Sequence, residues 1–188
     1  AADFIASRRD RLLALLVTHA HEDHVGAVAH HWPQLRCPVY CTPFTAEILS
    51  RKLAEAGLAD AVPVRVVQRG QRHELGSFDV QWVHLTHSTP ESHALFLRTP
   101  AGRVLHTGDW KLDPAPVVGP GTNPAALRGI GDEGVLAMVC DSTNATVPGR
   151  SVSEGDLYAG LLEQVLERRR SLSAERPTQS PALEAQVD

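Results

Sequence analysis

An apolar run, Leu12 to Val17, leads directly into Thr18-His19-Ala20-His21-Glu22-Asp23-His24, which sets four metal-competent side chains within six residues. The run is bounded by Arg11 and by that polar cluster, and it reads as a buried strand. Residues two apart on extended backbone project to one side, so His19 and His21 can grip one ion. Asp23 and His24, at the turn into the next helix, can face a second. Imidazole with carboxylate suits Zn2+ best and also accepts Mn2+. A solvated His-rich turn is the bland alternative; the agreement of strand, ligand spacing and following helix favours metal.

Six residues of one segment cannot close two coordination shells, so further ligands must come from elsewhere. His87, in Leu85-Thr86-His87-Ser88-Thr89-Pro90, follows a strand-like stretch and is the third nitrogen for the first ion. Asp109, in His106-Thr107-Gly108-Asp109-Trp110, follows another, and a carboxylate there can bridge both ions. Gly108 allows the close backbone approach that such a bridge needs. The expected metal ligands are therefore His19, His21, Asp23, His24, His87 and Asp109.

The rest of the chain supplies a frame of layered α and β structure. A helix is expected from His24 to Trp32, halted by Pro33, then a short strand over Pro38–Cys41. Thr42-Pro43 opens a second helix with Phe44, Ile48, Leu49 and Leu53 on one stripe, closed at Gly57. Strands are expected over Val62–Val67, Phe78–Thr86, Ala94–Arg98, Arg103–His106 and, buried, Val135–Cys140. Pro114 to Pro124 reads as a surface loop, and Ser151-x-x-Glu154 as a capping box for a helix over Glu154–Arg169. Beyond Arg170 periodicity is lost and a disordered tail is expected. The division is thus a first unit over 1–165 and a helix end with tail over 166–188.

Composition narrows the class. With 188 residues, 18 Lys+Arg and 22 Asp+Glu, the formal charge is −4, and 43 % of residues are apolar. No apolar run approaches the roughly 20 residues of a bilayer span, and no signal sequence opens the chain. Three cysteines, Cys37, Cys41 and Cys140, fit no disulfide framework or zinc finger, which points to a reducing cytoplasm. The mild acidity gives no basic footprint for nucleic acid, but two divalent ions would bring four positive charges to the site.

The run THAHEDH resembles the HxHxDH signature of the metallo-β-lactamase fold, with His87 and Asp109 at the positions of its later ligand motifs. A finer resemblance is to the ribonuclease J family, in the β-CASP branch of that superfamily. HEDHVGA (21–27), LTHSTPES (85–92), VLHTGDWKLDPAP (104–116) and CDSTNATVPG (140–149) carry it, in order, over about residues 3–165. The resemblance implies αββα-type layers and a hydrolase using two Zn2+ ions, Mn2+ being the alternative. It implies RNA as the substrate, cut by a metal-bound hydroxide from 5′ to 3′ and also internally, and a homo-oligomer in the intact family. Asp23 and Asp109 would fix the metal pair, and Asp141 would take an acidic role that orients a catalytic histidine. The family's opening strands, β-CASP domain and returning C-terminal segment have no counterpart here. The chain therefore reads as a partial metallo-β-lactamase fold, a piece of such an enzyme, with exposed apolar surface expected.

The remaining candidates have structural readings. His30 and His31 are expected at the surface or in packing, His106 as a buried hydrogen-bonded support, and Glu22 as a solvated acid at a helix start. His73, His84 and His93 have no ligand-like neighbours, and Arg168–Arg170 read as a solvated helix end. Ser142-Thr143-Asn144 reads as a turn. Two rival functions stand beside the nuclease: a small-molecule hydrolase of the same fold, acting on lactones or thioesters, and a non-catalytic metal-binding fragment.

Overall fold

The computed structural model describes residues 2–174. Its elements in chain order are α1 (Ala2–Ala6), β1 (Leu15–Leu16), α2 (Glu22–Val25), α3 (Val28–Leu35), β2 (Val39–Cys41), α4 (Pro43–Glu55) and β3 (Val64–Val66). There follow β4 (Arg72–Leu75), β5 (Phe78–His84), β6 (His93–Thr99), β7 (Gly102–His106), α5 (Pro124–Glu133), β8 (Ala137–Val139) and α6 (Glu154–Ala174).

Strands β1, β2 and β3 form a parallel sheet, with Leu15 opposite Val39 and Val39 opposite Val64. The second sheet runs β4-β5-β6-β7-β8, antiparallel except for the parallel β7–β8 pair. Alternation along the strands divides the core into three seams. Val17, Val39 and Cys41 point from the first sheet toward Val28 of α3 and Leu49 and Leu53 of α4. Leu16 and Tyr40, on the opposite face, meet Val80, Trp82 and Leu95 of the second sheet. Val83, Ala94 and Phe96 pack on Ile130 and Leu127 of α5. The order of layers is α/β/β/α, as the sequence led us to expect.

Local chemistry explains several boundaries. Gly57 ends α4 at φ +68°, while Leu58 N–H bonds Leu53 C=O, the paired arrangement of a Schellman stop. At the other end the Thr42 hydroxyl pairs with Thr45, and the N–H of Phe44 is capped from afar by Glu91 Oε2 at 2.8 Å. Pro33 does not halt α3: it forfeits its own N–H and crowds the carbonyl one turn back, yet the helix runs to Leu35 before Arg36 turns left-handed at φ 51°.

Three further expectations are corrected. Asn123-Pro124 opens α5 out of the expected surface loop, with Asn123 Oδ1 accepting from Ala125 N–H at 2.9 Å. Strand β8 is not buried: among the described residues it is the sheet edge, paired only with β7, and Leu136, Met138 and Val139 are each at least half exposed. Helix α6 starts on Ser153 rather than Ser151, and it continues past Arg169 through Ala174, since no Gly or Pro stands between Arg169 and Pro177. Leu157, Leu161, Leu162 and Val165 of α6 are also exposed. Of the tail expected beyond Arg170, residues 171–174 continue α6, and the rest lies outside the described residues.

Candidate metal centre

Strands β5, β7 and β8 run in one direction, so they all end on one side of the second sheet, where the segment after β1 also arrives. Those four exits carry His87, Asp109, Asp141 and His19–His24. Thr86 joins two of them: its C=O accepts from Lys111 N–H at 2.9 Å, and its hydroxyl accepts from Asp113 N–H at 3.0 Å. Gly108, at φ +60°, lies against Thr18: a Cβ there would come within 3.0 Å of the Thr18 hydroxyl. Only glycine brings the Asp109 turn this near to the β1 exit.

The result is a triangle of imidazoles. Ring centroids of His19 and His21 are 4.9 Å apart, His19 and His87 5.0 Å, and His21 and His87 4.7 Å, all edge to face. Asp109 completes this first group, whose donor atoms lie within 4.8 Å of one another. Asp23, His24 and Asp109 make the second group by the same measure. Asp109 divides its oxygens between them. Oδ2 faces His19 Nε2 at 3.9 Å and His87 Nε2 at 3.8 Å, whereas Oδ1 faces His24 Nε2 at 3.3 Å.

Burial sets the charge of the donors. His19 is fully buried, and desolvation, reinforced by the imidazoles of His24, His87 and His21, lowers its pKa to about 3. Burial, together with His21, also pulls His87 down. Both rings are therefore neutral near pH 7 and can offer lone pairs. His19 Nε2 is buried with no hydrogen-bond partner among the described residues. An unpaired ring nitrogen aimed among two imidazoles and a carboxylate is costly unless a cation meets it, so the donor set fits a bound divalent ion.

The structure thus brings all six expected ligands into two groups that share Asp109. Asp141 belongs to neither. Its Oδ1 accepts from the Thr143 hydroxyl at 2.6 Å and the Thr143 N–H at 2.8 Å, which lower its carboxyl pKa. It lines a cavity of about 1150 Å³ that also touches His87, Trp110, Lys111, Thr143 and Arg150. Glu22 pairs with Lys52 at 2.7 Å, and His106 Nδ1 accepts from Gly108 N–H at 3.1 Å. Sequence reasoning gave no role to Asp113, which lies next to Pro114. Its buried carboxylate accepts from Ser153 and from the N–H groups of Glu154 and Ala115 and pairs with Lys111, tying α6 to the Asp109 loop.

These layers and this histidine–carboxylate arrangement are those of a metallo-β-lactamase fold. The chain belongs to the beta-lactamase superfamily, whose domain model matches residues 4–126. Its relatives there include ribonucleases J. That of Sinorhizobium meliloti is 46 % identical over 164 residues, covering 87 % of this chain and 29 % of the relative. That of Synechocystis is 37 % identical, covering 84 % and 25 %, and that of Thermus thermophilus 35 %, covering 88 % and 30 %. The chain spans between a quarter and a third of these relatives' length. A solved structure of a protein of unknown function from Enterococcus faecalis shares the fold, with a TM-score of 0.58 at 20 % identity, over 82 % of this chain and 39 % of that one.

Proposed function

We propose that residues 1–165 form the metal-holding part of a ribonuclease J-type phosphodiester hydrolase acting on RNA, from 5′ to 3′ and also internally. The observation that carries the reading is Asp109, one carboxylate with each oxygen turned to a different donor group. Zn2+ is the favoured metal and Mn2+ the alternative, by the chemistry of imidazole and carboxylate donors. Divalent ions held there supply Lewis-acid stabilisation of phosphate oxygens and lower the pKa of water for attack near neutral pH.

The chain's own residues do the positioning. His19, His21 and His87 would hold one ion, with neutrality secured by burial at His19 and His87. Asp23 and His24 would hold the other, and Asp109 would fix the spacing of the pair. The second group is more exposed than the first, which suits the side open to substrate. Asp141, pinned by Thr143 on the cavity wall, is the carboxylate suited to orient a catalytic histidine outside the two groups. RNA as substrate and three free cysteines favour a cytoplasmic setting. Among the described residues no helix is long and apolar enough to cross a membrane.

The test is turnover of 5′-monophosphorylated RNA beside panels of lactones and thioesters, with Zn2+ and with Mn2+. RNA shortening from the 5′ end that is lost in His19→Ala supports the reading. Hydrolysis confined to lactones or thioesters would overturn it.

A further inference from the structure

Thr18 is 5 % exposed and stands between the end of β1 and the first ligand. Three contacts fix it. Its C=O accepts from His93 N–H at 3.1 Å, Gly108 closes on its side chain, and its Oγ1 lies 3.0 Å from His19 Nδ1. The hydroxyl and that ring nitrogen are within hydrogen-bond distance, and the proton between them has two possible owners.

The surroundings of the opposite nitrogen decide which. Suppose the Thr18 hydroxyl donated to Nδ1; Nε2 would then carry the hydrogen. That N–H would be buried, and the nearest carboxylate oxygen, Asp109 Oδ2, is 3.9 Å away, beyond hydrogen-bond range. If Nδ1–H donates to Thr18 Oγ1, Nε2 keeps a lone pair directed into the group formed with His21, His87 and Asp109. Only the second arrangement leaves Nε2 able to act as a ligand, and a cation satisfies its lone pair.

We propose that Thr18 is a positioning residue for the metal centre: by accepting the Nδ1–H of His19 it fixes the ring's tautomer and angle, so that Nε2 faces the ion of the first group. This rests on the metal reading above. The partner on the far nitrogen of a metal-bound histidine governs ring orientation and basicity, and its loss weakens metal affinity by about 10–100-fold. Here that partner is the residue immediately preceding the ligand, so the strand register that buries Val17 also places the hydroxyl.

The test pairs Thr18→Val, which keeps the shape and removes the hydroxyl, with Thr18→Ser, which keeps the hydroxyl. Zn2+ affinity is measured by competition with a chromophoric chelator, and folding by thermal melts in excess chelator. The expected result is a loss of about 10–100-fold for Thr18→Val and recovery of most of it for Thr18→Ser. A second readout needs no substitution: in the metal-free, 15N-histidine-labelled parent at neutral pH, His19 should carry its hydrogen on Nδ1. Parent-like Zn2+ affinity in a folded Thr18→Val, or a hydrogen on Nε2 in the parent, would overturn the proposal. Should Thr18→Val not fold, the labelled parent and Thr18→Ser decide. A parent that binds no Zn2+ overturns the metal reading itself, which is a separate result.

Discussion

Nδ1 of His21 and Nε2 of His87 face each other at 3.1 Å, although 66 residues separate them in the chain. Two bare lone pairs at that distance repel, so the pair is joined by a shared proton or by a cation. The contact ties the exit of β1 to the exit of β5, one from each sheet, and it makes metal content the most direct measure of the site.

Replacing His19 and His21 together by Ala should remove the first ion and leave the second group's ligands in place. Metal analysis of the purified protein should show the parent stoichiometry reduced by one ion. Retention of the full complement would mean that the ligands are assigned wrongly.

Asp109 and Asp141 should separate cleanly. Asp109→Ala takes a ligand from both groups, so metal content and RNA cleavage should fall together. Asp141→Ala should leave metal content near the parent's while turnover drops by about 10–100-fold, the range for groups that act through a neighbour. Equal metal loss in the two variants contradicts this division.

Gly108→Ala should damage the centre without touching a ligand. A non-glycine residue in the left-handed region costs roughly 1–2 kcal/mol, and the new methyl would press on Thr18 at 3.0–3.1 Å. A lower melting temperature and weaker Zn2+ binding are expected together, measured by thermal denaturation and chelator competition. Unchanged Zn2+ affinity would show that the Asp109 turn can shift without consequence.

Acid should loosen the start of α6 through Asp113. The Glu154 backbone N–H, aided by Lys111, the Ser153 hydroxyl and the Ala115 N–H, holds this carboxyl well below the usual range. A group whose pKa is depressed by folding contributes stability that is present in full above its unfolded value, about 4, and is lost as pH falls further. Melting temperatures recorded from pH 7 to pH 2 should therefore fall less steeply below about pH 4 in Asp113→Asn than in the parent. Parallel curves would remove Asp113 from the account.

The sequence made the donors legible because the chemistry concentrates them: His19 to His24 occupy one six-residue segment, and both His87 and Asp109 follow strands. What it hid is whatever depends on contacts between distant segments. Two of the partners of Asp113 lie 40 and 41 positions away, and the cap on α4 comes from Glu91, 47 residues on. The apolar run Val135–Cys140 has the composition of a buried strand, but burial needs cover on both faces, and composition carries no record of cover. Pro33 misled for the opposite reason: its local penalty, a missing donor and a crowded carbonyl one turn back, is outweighed by the packing of Trp32 and Val28.

The division of ligands between two sheets can also be put in the language of polymers. Joining chain positions 66 residues apart costs a flexible chain about 4 kcal/mol of loop-closure entropy. The packing of Leu16 and Tyr40 against Trp82 and Leu95, with the hydrogen bond from His93 N–H to Thr18 C=O, holds that loop closed without metal. An arriving ion meets a closed ring of donors, and almost all of its coordination energy is expressed as affinity. The linkage runs the other way as well: an ion that binds only the closed ring stabilises it by RT ln(1 + [L]/Kd), so free metal concentration sets how firmly the two sheets stay together.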